Sequence, residues 1–320
     1  MADFRIKHIT RYSYASTVID CTNQIMLFPV NDITQNVKKH ELKITNDPTV
    51  EKFTDYFGNT VGVFSNIAPH NILLIVSDIV VSTNPVVLPE DNHPAVQQWM
   101  ELDKLRDQYP FLDFMQHEAL TSMAELEQIS VSSINKNDTP YTNAKRLSEY
   151  IYTNFEYKKG VTSIETKIDD ILKLKAGVCQ DFAHLLLVLL HISGIPARYV
   201  SGYICPKNHE LRGEGATHAW VEAYLPYYGW LGLDPTNNCI ASDRHVKLAI
   251  GKNFSDCTPV KGTYKGSSEH TLEVSVSIEN GHLKTQEEKE AVQTFTYTSK
   301  NPGINNNSYR QYLEQQQQQQ

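Results

Sequence analysis

The sequence predicts an α+β fold, in which a short buried helix packs on an antiparallel sheet and a β-sandwich or barrel domain precedes both. The first observation is the apolar run Leu185–Leu190, which Gly194-Ile195-Pro196 ends with two helix breakers. A helix that is apolar nearly all round is a buried helix. The second observation is that strand patterns follow this run one after another, which favours an antiparallel sheet over a doubly wound one. The third is a series of short strand patterns near the N-terminus.

Residues 1–85 are predicted to form the β domain. Alternating segments such as Asn71–Thr83 are separated there by turn sequences, at a spacing of roughly ten residues. Two late strands are predicted at Thr271–Ile278 and Gln293–Thr298. They could return to the first sheet, so residues 262–300 are candidates for completing the N-terminal domain.

Three further regions complete the predicted organisation. They are a helical linker region at residues 86–140, a core domain at residues 141–261 and a disordered tail or cloning remnant at residues 301–320. The core is expected to begin with an amphipathic helix over Asn143–Tyr157, for which Thr142 is the candidate N-cap.

The remaining elements are shorter. Helical segments are predicted at Glu118–Ile129 and Asp169–Leu174, and Asp243–Asp256 is expected to be helix or loop. The strands of the core sheet are predicted at Ala197–Cys205, His218–Leu225 and Trp230–Leu233.

The composition indicates a mildly acidic, reduced, cytoplasmic protein. The chain has 320 residues, of which 40% are hydrophobic, with a formal net charge of −8 and a pI of about 5.8. It has no basic stripe, so nucleic acids and membranes are poor candidate partners. No secretory signal and no membrane-spanning apolar run is visible. The five cysteines are widely spaced without a CxxC pair, which favours reduced thiols.

Cys179 is the candidate nucleophile, because it falls at the start of the buried helix, where Gly177 is expected to make a tight turn. Unpaired backbone N–H groups and the positive end of the helix dipole favour a thiolate over a thiol there. His218 lies near the start of one strand pattern, and Asp234 ends the next. A lone cysteine is most often a core residue, but Cys, His and Asp on helix, strand and strand follow the order of a papain-like triad.

Four segments around these residues resemble the transglutaminase-like superfamily, and in this order they form a specific signal. They are Gly177-x-Cys179-x-Asp181-Phe182-Ala183, Gly194-Ile195-Pro196-Ala197-Arg198, His218-Ala219-Trp220-Val221-Glu222 and Leu233-Asp234-Pro235-Thr236. The nearer resemblance is to bacterial transglutaminase-like proteins, which include proteins described as cysteine proteases. The N-terminal half is similar to the N-terminal domain of those proteins through Tyr12-x-Tyr14, Leu27-Phe28-Pro29 and Asp55-Tyr56-Phe57-Gly58-Asn59.

The resemblance implies a papain-like/transglutaminase-like core with Cys179 as nucleophile, His218 as base and Asp234 as orienting carboxylate. It also implies a thiol-dependent hydrolase that cleaves amide or peptide bonds of a peptide or protein substrate through an acyl-enzyme. Gln180 follows the cysteine where the animal crosslinking enzymes have Trp, which argues against crosslinking. Those enzymes use calcium, but no EF-hand-like loop is present here, so chemistry without a metal or cofactor is predicted.

Neighbouring polar residues are expected to have structural roles. Asp181 should complement the helix dipole, with catalytic acid as the alternative role. His184 should be a packed helix residue, and Glu222 should be solvated or bonded to nearby backbone. The backbone N–H of Cys179 is the expected oxyanion donor. The N-terminal residues expected at the surface and in turns are His40, His70 and Asn59.

The residues leave several alternatives open. Transamidation would use the same triad, so the triad cannot separate amine transfer from hydrolysis. A non-catalytic binding module and a zinc site of Cys, His and Asp are further alternatives. The identity of the substrate, the oxyanion-hole side chain, the role of the N-terminal domain and the oligomeric state stay undetermined.

Overall fold

The computed structural model describes the backbone and side chains of residues 1–117, 119–162, 166–206, 211–213, 216–266 and 269–280, and the backbone of 291–298. Two predicted features lie outside these described residues: Glu118, at the start of a predicted helix, and the tail at residues 301–320.

The N-terminal strands belong to an antiparallel sheet that curls into a half-barrel. They are β1 (Ala2–Ile25), β2 (Gln35–Ile44), β3 (Glu51–Thr54), β4 (Thr60–Asn66) and β5 (His70–Thr83). The longest, β1, pairs with β4 and β5 and with two strands from the end of the chain. Alternate side chains of β1 such as Phe4 and Ile6 are buried, as the period of two in a strand requires.

The helical region contains α1 (Ala95–Leu105), α2 (Met123–Ser133) and α3 (Pro140–Asn154). Thr139, not Thr142, caps α3, because its side chain accepts a hydrogen bond from the backbone N–H of Thr142. The prediction therefore began this helix too late, and the reason is Pro140, whose fixed φ suits the first helical position. Among the described residues, no helix combines the length and the apolar character needed to cross a bilayer.

The chain next forms β6 (Glu156–Tyr157), α4 (Ile168–Leu174), β7 (Ala176–Gly177) and α5 (Cys179–Ile192). The two short strands run parallel, and the N–H of Lys158 donates to the carbonyl of Gly177 at 2.9 Å. This pairing holds Tyr157 beside the segment that leads into α5. The apolar side chains of α5 are almost all buried, as the sequence predicts.

A five-stranded antiparallel sheet carries α5 on one face. Its strands are β8 (Ala197–Ile204), β9 (Ala216–Leu225), β10 (Gly229–Asp234), β11 (Cys239–Ile240) and β12 (His245–Gly251), in the order β11-β10-β9-β8-β12. Ala219, Val221 and Ala223 of β9 lie in the same apolar cluster as α5. The residues that lie between these three on β9 therefore face the other side of the sheet. The predicted α+β fold, with a helix on an antiparallel sheet, is confirmed.

The strand β12 corrects the expectation of helix or loop at Asp243–Asp256. His245 and Lys247 interrupt its apolar pattern, yet both are buried because carboxylates on other strands of the sheet pair with them.

The end of the described chain returns to the half-barrel. It comprises β13 (Val260–Lys265), β14 (His270–Asn280) and β15 (Ala291–Thr298). Both β13 and β14 pair with β1, and β14 does so over a long register that runs from Phe4 opposite Asn280 to Tyr14 opposite His270.

Two of the N-terminal residues expected at the surface are instead buried. His70 opens β5 and is 8% exposed. Asn59 lies in a turn, as expected, but it is 2% exposed and joins the half-barrel to β12. Its side chain donates to the carbonyl of Ile250 at 2.7 Å and accepts from the N–H of Ile250 at 2.8 Å. His40 is half-buried and bonds the hydroxyl of Ser77.

Candidate active site

Cys179 is the first residue of α5 and is half-buried. The turn before it is held by Asp181, whose Oδ2 accepts from the backbone N–H of Val178 at 2.8 Å and from the hydroxyl of Thr162 at 2.6 Å. A Cβ on Gly177 would lie only 2.7 Å from that oxygen. Glycine is therefore needed here for close approach. The expected special backbone conformation falls instead on Lys175, at φ 50°.

The Asp181 carboxyl is part of this turn and is not solvated. Its burial raises its pKa to about 6, although the bonds from Thr162 and Val178 act in the opposite direction. The bond to Val178 satisfies one N–H group at the helix start, which agrees with the preferred expectation that Asp181 complements the N-terminus of the helix.

His218 and Asp234 form a buried pair on adjacent strands. His218 lies near the start of β9 and Asp234 ends β10, and Nε2 of His218 is 2.8 Å from Oδ2 of Asp234. The two side chains are 1% and 0% exposed. The structure thus brings these two predicted residues together in a part of the molecule shielded from water.

The Asp234 carboxylate accepts hydrogen bonds from five donors. Oδ2 accepts from His218, from Nε2 of His245 at 3.2 Å and from Nδ2 of Asn237 at 2.8 Å. Oδ1 accepts from the backbone N–H groups of Thr236 and Asn237 at 2.9 and 3.3 Å. Burial alone would raise the pKa of Asp234, but these partners, His218 above all, lower it far below its usual range. The carboxylate is therefore ionised throughout the neutral pH range.

The same pair sets the protonation of His218. Burial lowers the pKa of a histidine, but the charge and hydrogen bond of Asp234, with a smaller contribution from Cys179, raise the pKa of His218 to about 10. His218 is consequently an imidazolium at neutral pH. Since Asp234 binds Nε2, Nδ1 is the ring nitrogen left to interact with Cys179, and it is buried with no other hydrogen-bond partner among the described residues.

His245 is a member of this cluster that the sequence analysis missed. Its Nδ1 accepts from the N–H of Ser242 at 3.4 Å, so its proton lies on Nε2 and is donated to Asp234. Burial lowers the pKa of His245 despite the nearby carboxylate, which keeps this second ring neutral. No sequence signal marked it, because the segment that carries it does not alternate as a strand.

Tyr157 and Gly213 lie beside His218 and were also missed as site residues. The position that a Cβ would take on Gly213 is 3.4 Å from Nδ1 of His218 and 3.7 Å from the hydroxyl of Tyr157. Burial raises the pKa of Tyr157, and the charges of Cys179 and Asp234 raise it further. The phenol is therefore neutral and can donate a hydrogen bond toward the space next to the thiol.

Two expectations about neighbouring residues have different outcomes. His184 is a packed helix residue, as expected, since its Nε2 accepts from the N–H of Phe254 at 3.2 Å and its ring lies against Tyr199. Glu222 is not solvated, and that expectation was wrong. It is 5% exposed and forms ion pairs with Arg198 at 2.6 Å and Lys247 at 2.5 Å.

His218, Asp234 and His245 place potential metal-ligand atoms within 4.8 Å of one another. The three ligand atoms already share hydrogen bonds, and Asn237 occupies a further position on Oδ2 of Asp234. An ion bound there would have to displace the protons that hold the cluster together. The arrangement fits a hydrogen-bonded triad with an additional histidine better than it fits a metal site.

Comparisons with known proteins agree with this architecture. Residues 127–235 match the transglutaminase-like superfamily, and residues 4–82 match the bacterial transglutaminase-like N-terminal region. An uncharacterized protein of Mycobacterium leprae is 32% identical over 279 residues, which cover 86% of this chain and 97% of the relative. A protein-glutamine gamma-glutamyltransferase of Pseudomonas aeruginosa is 34% identical over 100 residues, covering 29% of this chain and 15% of that enzyme.

A crystal structure from Cytophaga hutchinsonii, described as a "putative cysteine protease", has the same fold. It superposes with a TM-score of 0.65 at 19% identity and covers 93% of this chain and 98% of that one. The order of the motifs, the two family matches and the near full-length relative lead to one conclusion. The chain belongs to the transglutaminase-like superfamily and carries the bacterial transglutaminase-like N-terminal region ahead of its core.

Proposed function

We propose that this chain is a thiol-dependent hydrolase of amide or peptide bonds in peptide or protein substrates, with Cys179, His218 and Asp234 as its triad. One observation carries the proposal. The buried His218–Asp234 pair is an imidazolium–carboxylate pair that leaves Nδ1 facing a thiol at the start of a buried helix. An imidazolium and a helix N-terminus are the two partners that stabilise a thiolate.

The first half of the reaction follows from these roles. The Cys179 thiolate attacks the carbonyl carbon of the amide, so a C–S bond forms and the carbonyl electron pair moves onto oxygen. Cys179 is the first helical residue, and its backbone N–H has no acceptor within the helix, so it can donate to this oxyanion. When the intermediate collapses, the C–N bond breaks and Nδ1 of His218 gives its proton to the leaving amine.

The second half regenerates the thiolate. Nδ1 of His218, now neutral, removes a proton from water as the water attacks the acyl-enzyme, and the C–S bond then breaks to release a carboxylic acid. Asp234 holds the ring orientation through both steps and stabilises the imidazolium that alternates with the neutral ring.

Transamidation by the same triad is the second candidate, and a specific observation favours it. The segment of 100 residues shared with the Pseudomonas aeruginosa protein-glutamine gamma-glutamyltransferase is 34% identical. A primary amine would then replace water in the second half. Gln180, in place of the Trp that follows the cysteine in the animal crosslinking enzymes, is the residue that inclines us toward hydrolysis.

The cytoplasm is the compartment we propose. All five cysteines are free thiols, as a reducing compartment maintains them.

Mass spectrometry of peptide substrates, with and without an added primary amine, tests the function. Hydrolysis gives new carboxylates even when the amine is in excess, whereas transamidation gives the amine adduct. We expect Cys179→Ala to abolish turnover and Asp234→Asn to lower kcat by roughly 10³- to 10⁴-fold. Cys239→Ala, which removes the other half-buried thiol, is the matched control and should keep full activity. Full activity in Cys179→Ala would reject the proposal.

A further inference from the structure

The segment Leu211–Gly213 is fastened to the catalytic cluster through Asn237. The side chain of Asn237 accepts from the N–H of Arg212 at 2.7 Å and donates to its carbonyl at 3.3 Å. The same amide donates to Oδ2 of Asp234 at 2.8 Å. One side chain thus links the backbone of Arg212 to the triad carboxylate, while the adjacent Gly213 lies against the ring of His218.

The guanidinium of Arg212 lies against aromatic rings and forms no ion pair with a carboxylate of the residues that the structure describes. Its Cζ lies 4.4 Å from the ring centre of Tyr152 and 5.9 Å from that of Tyr157. Its only hydrogen bond among the described residues is from Nη1 to the carbonyl of Thr236 at 3.4 Å. A guanidinium has five N–H donors, so most of them are available to a ligand. Arg198 and Arg146, in contrast, each pair with a carboxylate of the protein.

Tyr157 connects this cation to the thiol. Its ring centre lies 5.9 Å from Cζ of Arg212. Its hydroxyl and Nδ1 of His218 both lie within 4 Å of the position that a Cβ would take on Gly213. Burial is the main cause of the raised pKa of Tyr157, but the charge of Cys179 also raises it and the charge of Arg212 lowers it. The thiol and the guanidinium therefore both lie near enough to one phenol to act on it electrostatically.

We infer that Arg212 determines specificity by binding a substrate carboxylate next to the amide that Cys179 attacks. The substrates would be peptides with an acidic side chain or a free C-terminal carboxylate flanking the scissile bond. A guanidinium recognises a carboxylate through two parallel hydrogen bonds, and stacking on aromatic rings fixes its plane for that geometry. On a chain with a net charge of −8, a cation that pairs with none of the described carboxylates is suited to select an acidic ligand. This inference rests on the proposed function.

Alkylation of Cys179 by two matched reagents tests the subsite without any substrate. In both reactions the thiolate displaces iodide from a CH₂ group, so that a C–S bond forms as the C–I bond breaks. Iodoacetate carries a carboxylate, and iodoacetamide is its neutral counterpart. We expect Arg212→Gln to lower the ratio of the two rate constants by about tenfold, because the variant loses the charge-assisted hydrogen bonds to the carboxylate of iodoacetate. The charge of His218 also attracts iodoacetate, but it is the same in both proteins.

Three further variants sharpen the test. Lys158→Gln removes an exposed cation from the residue next to Tyr157 and should leave the ratio unchanged. Tyr152→Phe keeps the ring under the guanidinium and should also leave it unchanged, whereas Tyr152→Ala should lower it. An unchanged ratio in Arg212→Gln, or an equal fall in Lys158→Gln, would overturn the subsite.

The outcomes separate the subsite from the proposed function. A Cys179 that reacts no faster than Cys239, but whose ratio still falls in Arg212→Gln, would retain the anion subsite and reject the catalytic thiol. A Cys179 that reacts faster than Cys239, with a ratio that Arg212→Gln leaves unchanged, would retain the catalytic thiol and reject the anion subsite. For turnover, peptide pairs that differ only by Glu or Gln beside the cleaved bond should differ in kcat/KM, and Arg212→Gln should remove most of that difference.

Discussion

Asp234 is a charged group that is completely buried, which is possible only because each of its oxygens is well supplied with donors. An isolated carboxylate in this position would be unfavourable by several kcal/mol, and its proton would return. The five donors reverse that tendency. His245 is the donor whose side chain has no other evident role in the site, so it is the place to test how the carboxylate is held.

We predict that His245→Leu lowers the free energy of unfolding by about 1–3 kcal/mol, because it removes one donor from a buried carboxylate. As a positioning residue it should lower kcat with little change in KM, since it acts on His218 through Asp234. Urea denaturation and steady-state kinetics measure the two effects. His245→Gln can still donate to Asp234 and should recover part of kcat. An unchanged kcat in His245→Leu would contradict this role, and so would a lowered kcat that His245→Gln does not partly recover.

Asp181 provides a prediction about pH. Its folded-state pKa of about 6 lies above the ordinary value of 3.8, so the folded protein binds the extra proton between those values. Its contribution to stability is present below about pH 4 and is lost as the pH rises through 6. Asp181→Asn should therefore unfold like the natural protein near pH 4 and be more stable at pH 8, by up to about 3 kcal/mol.

Thermal unfolding at the two pH values measures this difference. A variant that is less stable at pH 8 would mean that the helix start and the bonds from Val178 and Thr162 favour the ionised carboxylate more strongly than burial opposes it.

At the level of elements, a charged cluster fastens β8, β9 and β12 to the half-barrel. Glu222 of β9 pairs with Arg198 of β8 and with Lys247 of β12, and Lys247 also reaches Asp32 at 3.1 Å. Burial raises the pKa of Glu222, but the two cations lower it below its ordinary value, so it is ionised. Glu222 and Lys247 are buried at the expense of their hydration and depend on the other members of the cluster.

We predict that Glu222→Gln lowers the free energy of unfolding by about 3–5 kcal/mol, because it leaves two cations in the interior without their carboxylate. Asp32→Asn is the matched comparison. Its side chain is 29% exposed, so water can replace part of the interaction and the loss should be smaller. Chemical denaturation measures both variants, and an equal loss in the two would contradict the argument.

For the whole molecule, buried neutral histidines should make stability fall on acidification. Burial lowers the pKa of five of them to about 4, below the ordinary value of 6.5: His8, His40, His184, His191 and His270. The unfolded chain binds more protons than the folded one between these values, so stability is lost as the pH falls from about 6.5 to 4. His218 has the opposite effect on stability, because its stabilising contribution is present below pH 6.5 and is lost as the pH rises toward 10.

Thermal unfolding by circular dichroism from pH 4.5 to 9 measures this dependence. We expect the midpoint of unfolding to fall by many degrees between pH 6.5 and 4.5. In His191→Gln this fall should be smaller, because one of the five histidines no longer contributes to it. A midpoint that stays constant over that range would contradict the argument, because it would mean that the folded and unfolded chains take up the same number of protons there.

The parts of the fold that follow a local rule could be predicted from the sequence. The helix α5 begins at Cys179 and ends before Gly194, whose φ of +85° suits glycine, and the strands β9 and β10 were predicted to within two residues. The order of the motifs also predicted that His218 and Asp234 lie together, and their side chains are 2.8 Å apart.

The parts that depend on contacts distant in sequence could not be predicted. The strand β12 carries His245 and Lys247, and these polar residues break the alternation that marks a strand. Their partners, Asp234 and Glu222, lie on other strands, so only the folded sheet explains why they are buried. Arg212 was missed for the same reason, because its place depends on Asn237 and on two tyrosines from a preceding helix and strand.

The pairing of β1 with β14 has a consequence for how the chain is made. One edge of β1 can pair early, since Ala2 lies opposite Thr83 on β5. The other edge stays unpaired until β14 has been synthesised, because Phe4 pairs with Asn280. Until β14 has been synthesised, β1 exposes a row of unpaired peptide groups, which is the kind of surface that chaperones cover and that neighbouring nascent chains can join.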